Sequence, residues 1–460
     1  MMVLQRVSAS RTGRVIGMLM CTCLVMALAA CGGGGGGGGD GGGGDGGSAP
    51  SPASSAAVPA SPAPAPAPAP AGPAASPASS TPQTLYHAAW TASLLDAQSA
   101  TSGLTPPQAL TLSNQTLRQT LRLAIGGNSF RLRLSNVFGT APLAVSAVRV
   151  ARGTGGAGID ASTDRAVSFG GKASIMIAPG NEVLSDPVSL SAPALAQIAV
   201  SMVFAAPASV ATAHGYVRDA VYVASGDQGA TQFFPADAQS LFSNYTLSAV
   251  EAADTDAARV VVAFGDSITE GVHSTQNAEK NYPEQLNHRL QAAGFARTGV
   301  VNAGIAGNRW LADGVGPSGI KRFERDALSV AGATHIILLL GVNDLLFSGV
   351  PGTPDEVSAD QLIAAMTDAA NQARSRGLKV IAGTLTPFAA SGATETKRQA
   401  LNAWIRSGVV FDGIIDFDAA LRAPTDPAAL NPLYNSGDGL HPNDAGYSAM
   451  ATAVSLSLLL

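Results

Sequence analysis

Residues 130–134 read Phe-Arg-Leu-Arg-Leu. This strict alternation sets the apolar side chains on one face and the arginines on the other, the pattern of a half-buried β-strand. Upstream, residues 116–125 alternate in part and then turn at Gly126-Gly-Asn-Ser129. Further short apolar runs at 144–150, 198–203 and 220–224 are separated by Gly, Pro and Asp. Nothing between residues 85 and 252 keeps a long helical period, so this stretch predicts an antiparallel sandwich or jelly roll. Its arginine face is expected to be solvated.

After about Asp254 the period changes. Apolar runs at 260–264, 299–302, 335–340, 379–382 and 413–416 alternate with helical patterns. One helix is expected to open at Asn281-Tyr-Pro283, with proline in its first turn and leucines at 286 and 290. Others are expected over 359–376, 395–405 and 444–458. The series predicts an α/β fold, a parallel sheet of about five strands covered by helices.

The first thirty residues have the grammar of a signal peptide. Arg6, Arg11 and Arg14 precede an apolar stretch, Val15 to Ala30, that is too short for a comfortable membrane span. It closes on Leu28-Ala29-Ala30-Cys31, which looks like a bacterial lipobox. The expectation is lipidation at Cys31 and an exported chain anchored to a bacterial membrane, in the periplasm or at the cell surface. Residues 31–83 are almost pure glycine and then Ala/Pro/Ser, a floppy coil followed by extended polyproline. The expected organisation is a signal peptide over 1–30, a tether over 31–83, a β domain over 84–254 and an α/β domain over 255–460.

Composition adds two exclusions. The 460 residues are 46% hydrophobic and 13% charged, which suits large buried cores, and a net charge of −5 carries no electrostatic footprint for nucleic acid. Cys21, Cys23 and Cys31 are the only cysteines. All lie at or before the cleavage point, so the mature chain is expected to form no internal disulfide.

Ligands of open parallel sheets bind beyond the carboxyl ends of the strands. Gly265-Asp266-Ser267 follows the first predicted strand, Asn302-Ala-Gly-Ile-Ala-Gly307-Asn308 the second, and Gly341-Val-Asn343-Asp344 the third. Asp438-Gly-Leu-His441-Pro442 precedes the last helix. The G-x-S-x-G elbow is missing, because Ile268 and Thr269 follow the serine. A serine hydroxyl becomes a nucleophile only when a base takes its proton. Histidine is the usual base, oriented by a carboxylate on its other nitrogen, and Asp438 lies close enough in sequence to reach His441 locally. The oxyanion then needs donors; the candidates are the Ser267 N–H, a glycine N–H and an asparagine amide.

In order, GDSITEG, NAGIAGN, GVND and DGLHP resemble the four sequence blocks of the SGNH/GDSL hydrolases, over roughly Arg259 to Leu460. The resemblance implies a flavodoxin-like three-layer sandwich, with Ser267 as nucleophile, His441 as base and Asp438 as its orienting acid. It also implies an oxyanion hole made by the Ser267 N–H, the Gly307 N–H and the Asn343 side chain, with Gly304 as a turn residue and no metal or cofactor. Trp90-Thr-Ala-Ser93, Asn114-Gln-Thr-Leu-Arg118 and Leu134-Ser-Asn-Val-Phe-Gly139 resemble the leading domain of larger bacterial members. The implied activity is hydrolysis of a small or polymeric carboxylic ester through an acyl-serine, with acetylated glycans fitting first. A lipolytic or aryl esterase, of lysophospholipase or thioesterase kind, is the enzymatic alternative, and a surface-binding lipoprotein with a vestigial hydrolase domain the non-catalytic one.

Around these residues, Asp266 is expected to tie down the turn, Glu270 to be a first-turn acid favoured by the helix dipole, and Asp344 to support Asn343. His87, His214 and His288 read as structural, and His335 as a satisfied edge histidine. His273, near the nucleophile in sequence, is a candidate for substrate contact. Arg309, Trp310, Phe347 and Tyr434 are candidates for an acyl or sugar pocket.

Overall fold

The computed structural model describes residues 84–97, 109–215, 217–254 and 258–460. The expected signal peptide over 1–30, Cys31 and the expected tether over 31–83 lie outside the described residues. The described residues fall within one compact unit. None of the described helices is long and apolar enough to cross a membrane.

The N-terminal half is all-β, built on two antiparallel sheets. In the larger, Gln115–Arg122 and Gln197–Phe204 pair side by side, flanked by Val221–Ser225 and Ala147–Gly155. In the other, Leu247–Asp254 lies between Leu85–Thr91 and Gly127–Ser135. The alternation at 130–134 is realised: Phe130, Leu132 and Leu134 are fully buried. Its arginine face is not simply solvated. Glu251 stands opposite Arg131 in register and is buried, and Arg131 and Arg133 bind its two carboxylate oxygens at 2.5 and 2.7 Å. The neighbouring strand supplies the anion that the arginine stripe needs. The run at 144–150 breaks at Ser146 into Leu143–Val145 and Ala147–Gly155.

The C-terminal half holds five parallel strands: Arg259–Gly265, Thr298–Gly304, Ala333–Leu339, Lys379–Gly383 and Gly413–Ile415. Numbered in chain order, they lie side by side as 2-1-3-4-5. This is the flavodoxin-like order, whose chain reversal opens a crevice between strands 1 and 3. Val260 to Phe264 and Ile336 to Leu338 are fully buried, as expected of strands covered on both faces. Tyr282–Ala292 is helical from its Asn281 cap, whose side chain accepts the Glu284 N–H at 2.9 Å. Ala359–Ser375 opens with a full capping box from Ser358 and Gln361. The last helix ends at Ala453, short of the expected 458, and continues only as a 3-10 turn over Leu456–Leu459. Arg289 takes the Ala451 and Val454 carbonyls there, satisfying groups that a longer helix would have used.

One hydrophobic cluster runs through both halves. Across the seam, Ala88 N–H donates to Ala331 O at 2.8 Å and Thr91 Oγ1 to Asn302 O at 3.3 Å. Asn277 N–H donates to Arg218 O at 2.8 Å, and Arg122 pairs with Glu279.

A helix the pattern did not announce, Gly319–Phe323, runs into a wider turn over Glu324–Leu328 and delivers Arg322 into the core. There the fully buried guanidinium donates to Gly265 O at 2.7 Å, Ala303 O at 2.9 Å and Asn308 Oδ1 at 2.9 Å. It also lies 3.9 Å from the Phe264 ring centre and 3.2 Å from Asp326. One cation thus binds carbonyls from strands 1 and 2. Replacing it removes a donor from both strand-end carbonyls and from Asn308, and one of the two guanidiniums that hold the buried Asp326 carboxylate. Arg322→Met should therefore cost about 3–5 kcal/mol in urea unfolding, and a change under ~1 kcal/mol would contradict this role.

Candidate functional site

Strand 1 ends in a turn with almost no free space. A Cβ on Gly265 would stand 2.1 Å from Thr269 Oγ1 and 2.5 Å from Leu339 O. Asp266 caps the next turn by accepting the Ile268 N–H at 3.0 Å, as expected. Its carboxyl is pushed up to about 7, chiefly by burial. Ser267 opens the four-residue helix Ser267–Glu270, so its own N–H lies in the first turn, where helix donors have no intrahelical acceptor.

The partner histidine arrives on a tightly cross-tied loop. Asn435 Oδ1 accepts the Gly437 and Gly439 N–H groups at 2.8 and 3.1 Å. Asp438 Oδ1 accepts those of Leu440 and His441 at 2.9 and 2.8 Å. The other oxygen, Oδ2, is 2.5 Å from His441 Nδ1, and His441 Nε2 is 2.8 Å from Ser267 Oγ. Burial alone would raise the Asp438 carboxyl, but the ring and backbone donors outweigh it and hold it at about 2. The aspartate is therefore an acceptor at neutral pH. Nδ1 carries the ring proton, and Nε2 presents its lone pair to the serine hydroxyl.

The block-two loop is pinned on both sides of Gly307. Ile305 N–H donates to Gly265 O and Asn308 N–H to Ile305 O, both at 3.1 Å. Gly307 sits at φ 77°, in the left-handed region. Gly304 is the last residue of strand 2 and not a turn residue: a Cβ there would meet Glu270 N at 2.4 Å. Asn343 Nδ2 donates one hydrogen to Asn308 O at 3.0 Å, leaving the amide a second hydrogen to donate.

Several expectations change here. The Asp344 carboxylate makes no hydrogen bond to Asn343; it takes the N–H groups of Trp310 and Leu311 at 2.8 and 3.0 Å and pins the loop after Gly307. Glu270 lies in the first turn, as expected, and is buried as well. Oε2 accepts the Ala306 N–H at 2.5 Å, and Oε1 lies 2.9 Å from His214 Nε2, on a strand of the β half. His335 is inside the central strand 3, with Nδ1 2.8 Å from Thr334 Oγ1 and Nε2 buried without a hydrogen-bond partner. Burial brings it down to about 4, so it stays neutral. Trp310 is core, donating to Leu340 O at 3.0 Å, whereas Phe347 is 59% exposed and Arg309 lies 6.0 Å from its ring centre. His288 is on an exposed helix face beside Glu279, at 2.7 Å. His273 Nε2 is 3.3 Å from Asp438 Oδ2. Among the described residues, His273, Asp438 and His441 bring possible ligand atoms within 4.8 Å of one another, a grouping that follows from the aspartate–histidine pair.

Residues 263–449 match the family described as GDSL-like Lipase/Acylhydrolase. This stretch is a GDSL-like acylhydrolase domain. Solved structures similar to the chain include a putative lipolytic protein of the G-D-S-L family from Desulfitobacterium hafniense, at 20% identity over 44% of this chain and 99% of that one, with a TM-score of 0.34. A GDSL-like lipase from Bacteroides thetaiotaomicron is 21% identical over 44% and 87%, with a TM-score of 0.32. An acetylxylan esterase from Geobacillus stearothermophilus is 18% identical over 44% and 94%, with a TM-score of 0.35. No curated protein matches the chain.

The residues that sequence reasoning missed around the acylhydrolase domain are Arg322 and the His214–Glu270 pair. Lys321-Arg-Phe-Glu-Arg325-Asp326 is a charge-rich stretch with no local mark of a buried cation, and no local spacing marks a histidine whose carboxylate is distant in sequence. The electrostatics of His441 give a test. Burial lowers its pKa and the His273 ring acts in the same direction, against the raising effect of Asp438. A base must be neutral to accept the serine proton, and a lowered pKa keeps it neutral into more acidic solution. The profile of kcat/KM against pH should therefore rise through one step lying below about 6.5, the ordinary histidine value. A step above that value would contradict the burial-dominated site.

Proposed function

We propose that the protein is an exported, lipid-anchored serine esterase that removes short acyl groups, acetyl foremost, from glycans. The observation that carries the catalytic part is the unbroken line of hydrogen bonds from Asp438 through His441 to Ser267 Oγ. In this reading His441 takes the Ser267 proton as the hydroxyl attacks the ester carbonyl, and the N–H groups of Ser267 and Gly307 and the Asn343 amide bind the oxyanion. His441 then protonates the leaving alcohol, and a water, deprotonated by the same ring, releases the acid from the acyl-serine.

The short-acyl part draws on the four sequence blocks and the two-domain layout, which removal of acetyl groups from glycans fits. A long acyl chain needs an apolar slot to bury it. One observation favours the alternative lipolytic or aryl-esterase reading: Leu346, Phe347 and Val350 after Asn343, and Leu433 before Asp438, are exposed apolar side chains. The anchor draws on Cys31 closing the lipobox-like segment, with the glycine run behind it.

Ser267→Ala should abolish ester hydrolysis with the fold intact, and Asn343→Ala should lower kcat by roughly 10²–10³, about 2.7–4 kcal/mol of transition-state stabilisation. Unchanged turnover in the first, or a loss below about tenfold in the second, would refute these assignments. Across 4-nitrophenyl esters from acetate to decanoate, kcat/KM should fall as the chain lengthens, and acetylated xylan should release acetate. A rise with chain length would select the lipolytic reading. Cys31→Ser should move the protein from the membrane to the soluble fraction on cell fractionation, and retention in the membrane would remove the anchor.

A further inference from the structure

The helix that opens at Ser267 carries a further buried polar side chain at its other end. Glu270, three residues after Ser267, is buried together with His214, at 5% and 8% side-chain exposure. One oxygen accepts the Ala306 N–H at 2.5 Å and the other lies 2.9 Å from His214 Nε2. His214 belongs to Thr212–Gly215 of the β half, and its Nδ1 is 2.6 Å from the carbonyl of Ser93. Ser93 ends the Trp90–Ser93 motif and is held from the other side, where Arg325 donates to Leu94 O at 3.0 Å. The His214 ring thus faces a carbonyl oxygen at one nitrogen and a carboxylate oxygen at the other. Burial alone would lower the His214 pKa; Glu270 and Ser93 outweigh it, and the net shift is upward.

We propose that His214 and Glu270 are positioning residues for the oxyanion hole, so that the β half forms part of the catalytic unit. The inference rests on the serine-esterase reading above. Ala306 directly precedes Gly307, and its N–H fixes the peptide plane one residue before the oxyanion donor. The neighbouring N–H groups of Ile305 and Asn308 bind within the catalytic half, whereas Ala306 is tied through Glu270 to the β half. Without His214 the Glu270 side chain has no partner from the β half beside it. It is then free to turn away, and the acceptor that orients Ala306 is lost. The oxyanion forms only as the reaction proceeds, so this loss falls on the transition state and leaves ground-state binding nearly unchanged.

The test compares His214→Ala, Glu270→Ala and Glu270→Gln with the wild type in kcat, KM, inhibition by a phenylboronic acid and thermal midpoint. Arg122→Gln, which breaks another ion pair across the same seam, is the control. Both alanine variants should lose roughly 10- to 100-fold in kcat, as a small misplacement of a reacting geometry does. Their KM should stay within about threefold, and boronate affinity should fall in step with kcat/KM. Glu270→Gln should restore most of the activity, because its amide oxygen still accepts from Ala306 and its NH2 can donate to a neutral His214. If His214→Ala does not fold, Glu270→Asp, which keeps the charge and shortens the reach, should show the same kcat loss. Unimpaired kcat in the folded variants, a loss confined to KM with boronate affinity unchanged, or an equal kcat loss in Arg122→Gln would overturn the positioning role alone. A wild-type chain with no turnover would overturn the esterase reading and this inference with it.

Discussion

The turn after the first parallel strand has to fit between two neighbouring strand ends that leave no volume for side chains. Gly265 has the carbonyl of Leu339 where a Cβ would stand, and Gly304 has the backbone of Glu270 there. Because both are glycine, the helix beginning at Ser267 rests directly on the end of strand 2. The Gly307 loop and Ser267 are then held in register in part by backbone contact, with Ile305 N–H bound to Gly265 O. The absence of the G-x-S-x-G elbow follows from this arrangement. The second glycine of that motif relieves crowding in a different turn, whereas here the space is made by glycines before the serine and across the strand.

The carbonyls at these strand ends are buried, and buried carbonyls are satisfied by donors. Beside the Ile305 N–H on Gly265 O, Arg322 donates to the Gly265 and Ala303 carbonyls together. It stays charged, since burial lowers its pKa only to about 10. Asp344 does the same for the N–H groups of Trp310 and Leu311. The floor of the site is thus built from charged side chains that serve backbone groups, a rigid way to hold loops that must not move during the reaction. The β half joins this scheme through its Ser93–Leu94 segment, which meets both His214 and Arg325.

What could be read from the sequence followed from how local the physics was. Five parallel strands were visible within a residue or two, because strands buried on both faces are continuous apolar runs. The Asp438–His441 pair was visible because its members share one short loop. The helix at 282 was visible because Asn281 and Pro283 both mark its start. The contacts of Glu270, Asp344 and Arg322 went unseen for the same reason. A charged residue near a turn looks solvated until a partner far along the chain arrives, and their partners are His214, the Trp310–Leu311 backbone and two strand-end carbonyls. The arginine stripe at 131 and 133 illustrates the point: its alternation was legible, whereas the buried Glu251 between the two guanidiniums was not.

The central claim is that Ser267 is a nucleophile activated by His441 through the geometry of this turn. A fluorophosphonate reacts covalently with such a serine and is indifferent to which ester the protein prefers, so peptide mass mapping after brief exposure tests the claim without knowledge of the substrate. The account predicts a single stoichiometric adduct on the peptide containing Ser267, absent after denaturation and suppressed in His441→Ala. A folded protein that takes no adduct, or takes it on another residue, would contradict it.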